Sequence, residues 1–188
     1  MSQNIFGPAA AGAKFEGAVA ASGSFSANVR AATRYRFECH NKAGRFKWVE
    51  EFDNLVVTSG LNDLIDKYFK GSTYTAAHYV GLKGAGSVAA GDTMSSHAGW
   101  AEITPYSDAT RPAFTPGTVS GGSVDNSASK AVFNINATAT IAGAFLATDN
   151  TKGGTTGTLY GAGDFSASRS VESGDTLSVT ITPSVTAS

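Results

Sequence analysis

The stretch that decides the fold runs Tyr35-Arg36-Phe37-Glu38-Cys39-His40, turns at Asn41-Lys42-Ala43-Gly44, and returns through Phe46, Trp48 and the run from Phe52 to Val57. Tyr35, Phe37 and Cys39 alternate with Arg36, Glu38 and His40, and a period of two puts successive side chains on opposite faces of a strand. Asn and Gly between the two runs supply turn chemistry, so the segment reads as a β-hairpin with one apolar face. Cys39 falls on that face and reads as a buried position; as the single cysteine of the chain it can form no intrachain disulfide.

Downstream of the hairpin, Thr58 or Ser59 is placed to cap a helix in which Leu61, Leu64, Ile65, Tyr68 and Phe69 recur at i, i+3, i+4, i+7 and i+8. Lys67 and Lys70 occupy its last turn and Gly71 ends it. This predicts one short helix, about 59–70, with its apolar stripe packed against a sheet. Beyond Gly71 come short β-prone runs: Tyr79 to Leu82, Trp100 to Tyr106, Phe114 to Val119, Ala131 to Ile135, Ile141 to Ala147, Thr156 to Tyr160 and Leu177 to Thr182. Gly91-Asp92-Thr93, Gly121-Gly122-Ser123 and Gly174-Asp175-Thr176 mark turns between them. The predicted class is all-β, a jelly-roll or β-sandwich of about 8–9 strands with one helix. No internal repeat of propeller, solenoid or triple-stranded β-helix type is present.

Upstream, residues 1–34 are dominated by Ala, Gly and Ser, with isolated apolar side chains at Ile5, Phe6, Phe15, Val19 and Phe25. Such a segment alone buries too little apolar area to offset roughly 1–2 kcal/mol of backbone entropy per residue. It reads as an extended arm that needs a surface, either a partner's or its own domain's. The expected division is an arm, 1–34, and a sandwich domain, 35–188. Ile5, Phe6, Phe15, Phe25, Arg30 and Arg34 are the candidate partner-interface residues.

Composition narrows the function further. Charged residues make up 15% of the chain and the net charge is -1, against about 25% charged in ordinary soluble domains. A surface of small polar and apolar residues suits fixed contact with neighbours. Between Arg30 and Lys70 the cations are interleaved with acids, so no stripe exists to neutralise phosphates, and nucleic acid is not the expected partner. No apolar run is long enough to span a membrane and no secretory leader is read, so synthesis in the cytoplasm is expected.

Chemistry-bearing motifs are weak. His40, His78 and His97 lack metal-ligand spacing, and no G-x-S-x-G elbow places a nucleophile. Lys83-Gly84-Ala85-Gly86-Ser87 lacks the order of a phosphate loop and reads as a turn. Asp149-Asn150 with Lys152-Gly153-Gly154 lacks the alternating acids of a calcium loop and reads as a polar turn. Trp100 and Tyr106, near His97 and Arg111, read first as core aromatics and second as a sugar-binding platform. The expectation is a protein without catalytic, metal or cofactor residues and without a small-molecule substrate.

A family resemblance is carried by Lys47-Trp48-Val49-Glu50-Glu51, the run Asn54 to Leu64, Tyr79-Val80-Gly81-Leu82, Gly91-Asp92-Thr93-Met94 and Trp100-Ala101-Glu102, followed by Tyr106, Arg111-Pro112, Gly143-Ala144-Phe145-Leu146 and Gly154 to Tyr160. From about Phe37 to Thr182 the chain resembles short virion proteins of tailed, podovirus-like phages, among them jelly-roll capsid cement or decoration proteins. The resemblance implies a structural subunit on the capsid exterior, assembled in the host cytoplasm. It would bind the major capsid protein and its own copies as a homodimer or homotrimer, with no cofactor. A tail or receptor-binding module recognising host carbohydrate is the alternative.

Overall fold

The computed structural model describes residues 29–74 and 77–187. In chain order its elements are β1 (Val29–His40), β2 (Phe46–Asp53), β3 (Leu55–Val56), α1 (Thr58–Tyr68), β4 (His78–Lys83), β5 (Glu102–Ile103), β6 (Ala113–Phe114), β7 (Ala131–Asn134), β8 (Ala139–Ala147), β9 (Leu159–Val171) and β10 (Thr176–Ala187).

The hairpin forms where the alternation places it. Its turn is closed by the Asn41 side chain, whose Oδ1 accepts the backbone N–H groups of Ala43 at 3.0 Å and Arg45 at 2.9 Å, while Gly44 takes a φ of +73°. β1 pairs with β2 on one side and with β10 on the other, so Phe37 lies opposite Glu50 and Val179. One sheet runs β2-β1-β10-β7 and the other β3-β9-β8-β4-β5, with β6 also on β4; every pairing is antiparallel.

The sheets face one another across a common core. Tyr35, Phe37 and Cys39 of β1 and Leu177, Val179 and Ile181 of β10 meet Leu82 of β4, Leu146 of β8 and Phe165 of β9. Each set occupies alternate positions of its strand, which is how a half-buried strand separates core from solvent. The architecture is an all-β sandwich with one helix. Two hairpins, β1–β2 and β8–β9, keep consecutive strands within one sheet. Cys39 is buried, and burial pushes its thiol up to about 11.

Several boundaries differ from the sequence reading. β1 begins at Val29 and pairs with β10 along its whole length, so residues 29–34, read as the end of the arm, are strand. Ten strands are present among the described residues because β3, β5 and β6 are two-residue pieces; the longer runs read at 100–106 and 114–119 are mostly irregular. β9 continues to Val171, well past Tyr160, through Gly161 and Gly163. Those glycines are required by close approach, since a Cβ on Gly163 would lie 2.8 Å from the Phe52 ring.

The solvent face of the first sheet carries a ladder of ion pairs: Arg34 and Arg36 on Glu51, and Arg36 and Lys130 on Glu38. Lys130 at 2.7 Å and Arg36 at 2.8 Å hold the Glu38 carboxyl down at about 2. Because the folded-state pKa is depressed, this contribution is complete above the ordinary value of 4.5 and is lost as pH falls toward about 2. Thermal midpoints are expected to drop across that window, and Glu38→Gln to flatten part of the drop. A mutant curve parallel to the wild-type one would contradict the assignment. The pairs are exposed or partly exposed, so the effect is small and weaker in salt.

Candidate functional site

The helix departs from the expected packing. Its first turn is fastened to the second sheet and to the loop between β4 and β5: the Val57 N–H donates to the Tyr160 carbonyl at 3.2 Å, Ser59 Oγ donates to the Leu159 carbonyl at 2.7 Å, and Thr58 N–H donates to the Ala90 carbonyl of that loop at 2.9 Å. Gly60 allows the approach, because a Cβ there would lie 2.1 Å from the Tyr160 carbonyl oxygen. Val57 takes the N-cap position, with no side-chain cap, so neither Thr58 nor Ser59 caps the helix. Ser59 is instead used to tie it to β9.

Gly60 is the one buried residue of α1. The apolar stripe read as core-facing points outward: Ile65 is 58% exposed, Tyr68 83% and Phe69 75%, with Leu61 and Leu64 also exposed. The reason is that the two sheets already bury each other's inner faces, and only the first turn of α1 reaches β9. No third layer stands over the remaining turns among the described residues. Tyr68 and Phe69 pack edge to face at 5.0 Å, so the end of the helix presents an aromatic corner.

Beside the helix lies a groove of about 480 Å³ between α1, the β4–β6 edge, the loop 116–124 and Pro183. Leu64, Tyr68, Tyr74, Phe114, Val119 and Tyr160 supply most of its walls; Asp63 and Lys67 are its charged residues, and Lys67 pairs with Asp66 at 3.6 Å. His78 also lines it, and burial pushes the imidazole pKa down, so the ring is neutral over more of the pH range than a free histidine. Together, stripe and groove form an apolar surface of the kind that marks contact sites in soluble proteins.

The opposite side of the second sheet is covered by its own loops. Phe145 projects from β8 into a smaller core with Met94, Trp100 and Leu159. Trp100 is buried, donates its indole N–H to Asp92 at 2.9 Å and is stacked by His97 at 4.0 Å. Arg111 is buried and grips Glu102 with two hydrogen bonds, of 3.0 and 2.8 Å, while also donating to the carbonyls of Asp149 and Gly154 at 2.8 Å each. Lys83 is equally buried; its ammonium donates to the Gly84 and Gly86 carbonyls and pairs with Asp164. A shallower cavity of about 490 Å³ opens at Ser95, His97, Glu102 and Thr155.

These placements revise the chemical candidates. Trp100 and Tyr106 are interior, so they offer no exposed platform to a sugar. The Lys83 loop folds its cation onto its own carbonyls, as a turn does, and the Asp149 loop is a polar turn in which Asp149 accepts the Thr151 N–H. Among the described residues no group of three or more His, Cys, Asp or Glu side chains is arranged for a metal, and no helix is long and apolar enough to cross a membrane. Of the candidate interface residues, Arg30 is exposed on β1 and Arg34 is paired with Glu51 at 2.7 Å; Ile5, Phe6, Phe15 and Phe25 lie outside the described residues.

The apolar stripe of α1 was legible as a stripe but its exposure was not, because periodicity identifies a face and not what lies opposite it. Comparison with known proteins adds no assignment: no family model matches the chain, and neither a curated protein nor a solved structure matches it.

Proposed function

We propose that this chain is a structural virion subunit, a cement or decoration protein that binds the outer capsid surface and stabilises contacts between major capsid proteins. The observation that carries the reading is the outward apolar stripe of α1, in which Leu61, Ile65 and Phe69 follow one another at successive turns. A monomer rarely leaves such a row bare, and burying each side chain on a partner contributes about 1.5–3 kcal/mol before the costs of association. Scarcity of charge supports the same reading, since it suits lasting contact better than free diffusion. The resemblance to podovirus-like cement proteins supplies the virion setting, the capsid partner, self-association as a dimer or trimer, and the absence of catalysis.

The decisive experiment incubates purified protein with capsids stripped of it and measures co-sedimentation. Ile65→Ser with Phe69→Ser, both at exposed positions, is expected to leave the fold intact and to weaken binding on the order of 100-fold. Unchanged binding would remove the helix from the interface. Counting copies per virion separates the shell from the tail: stoichiometry comparable with the major capsid protein supports cement, whereas a handful per particle would discard it.

A further inference from the structure

The β1–β10 ribbon carries apolar positions past the end of the core. Thr33, Ala31 and Val29 continue the inward parity of Phe37 and Tyr35, and their partners Pro183, Val185 and Ala187 continue that of Ile181. Val29 is nevertheless 74% exposed and Val185 47% exposed. This bare end adjoins the groove, because the loop that supplies Val119 and Val124 is bonded along β10: Val124 N–H donates to the Pro183 carbonyl at 3.1 Å, and Val185 N–H to Gly122 at 2.8 Å.

We infer that the groove is the seat of this chain's own amino-terminal segment, residues 1–28, folding back from Val29 with Phe25 as its first anchor. Phe25 precedes Val29 by four residues, a reach of about 13 Å. That equals the distance along β1 from Val29 to Thr33, the partner of Pro183 on the groove wall. Phe6 and Phe15 follow at intervals long enough to cover the rest of the groove.

Charge fits as well. The segment carries only Lys14 and Glu16, and the groove wall is largely apolar apart from Asp63, Lys67 and His78, so a charge-poor segment meets a charge-poor wall. A tether this short raises the local concentration of Phe25 to about the millimolar range, which favours the same chain over a second copy. The occupant is thus assigned independently of the capsid reading, which uses Leu61, Ile65 and Phe69 on the other flank of α1.

The test uses the full chain, isolated and without capsids, with a benzophenone amino acid in place of Phe25. Irradiation should give adducts of monomer mass on peptides containing Tyr68, Tyr74 or residues 114–124. Leu64→Arg with Val119→Arg, both exposed, should lower their yield at least about tenfold, since the arginines obstruct an apolar seat. Circular dichroism checks that this variant remains folded. Adducts elsewhere, or a yield indifferent to the arginines, would overturn the inference. Adducts found only in cross-linked dimers would overturn it in favour of a second copy. As an independent readout, replacing Phe6, Phe15 and Phe25 together by Ser should raise the fluorescence of bound anilinonaphthalene sulfonate, and no rise would also count against it.

Discussion

Arg111→Leu is expected to cost about 3–5 kcal/mol of unfolding free energy, measured by urea denaturation. The guanidinium is fully buried and its partner Glu102 nearly so, and the two are joined by a bidentate pair. Removing the cation leaves Glu102, little exposed at the edge of the shallower cavity, with the Gly153 N–H at 2.9 Å as its remaining hydrogen-bond donor. Two further acceptors, the carbonyls of Asp149 and Gly154, lose their Arg111 donor. Adding Glu102→Leu should recover part of the loss, because the stranded charge goes with it. Recovery should be incomplete, since the two carbonyls still lack Arg111. A single-variant loss below about 1 kcal/mol would mean that water reaches the pair and that Arg111 does not hold the 148–158 loop to the sheet.

Phe145→Ala is expected to cost a similar amount, about 3–5 kcal/mol, through lost burial and the cavity left behind. The ring lies over Gly81 on the neighbouring strand, where a Cβ would be 2.0 Å from the ring, and it touches Trp100 at 5.3 Å and the Arg111 guanidinium at 5.0 Å. The geometry makes a prediction of sign as well as size. Gly81→Val in the wild-type background overfills the site and should destabilise by about 1–3 kcal/mol. In the Phe145→Ala background the same substitution fills the hole and should stabilise. Additive effects in this double-mutant cycle would mean that ring and glycine do not share the space. The near-UV signal of Trp100 should weaken in Phe145→Ala and leave the main sandwich core, on the other side of the sheet, intact.

These two sites show where sequence reading stops. Trp100, Glu102, Arg111 and Phe145 were each singled out by the motifs they belong to, yet nothing in their spacing pairs Arg111 with Glu102 or seats Phe145 over Gly81. The pairings arise from strands and loops brought together by sheet order: β4 lies between β8 and the short β5 and β6. The strand read from Thr156 to Tyr160 stops short of Gly161 and Gly163, through which β9 continues, for a related reason. A glycine that permits close approach of Asn54 or Phe52 looks, locally, like a glycine that breaks a strand.

What the sequence determined by itself was local. Alternation from Tyr35 to Cys39, the Asn41–Gly44 turn, the turns at Gly121 and Gly174 and the single helical period from Leu61 to Phe69 depend on neighbours a few residues away, and they were enough to specify an all-β sandwich with one helix. Tertiary structure alone decided which way the helix faces. An apolar stripe turns inward only if an uncovered surface awaits it, and here the two sheets had already satisfied each other while Gly60 docked the first turn on β9. The remaining turns were therefore left with an apolar face and a groove beside it, because burial is a property of the assembled chain and not of any one segment.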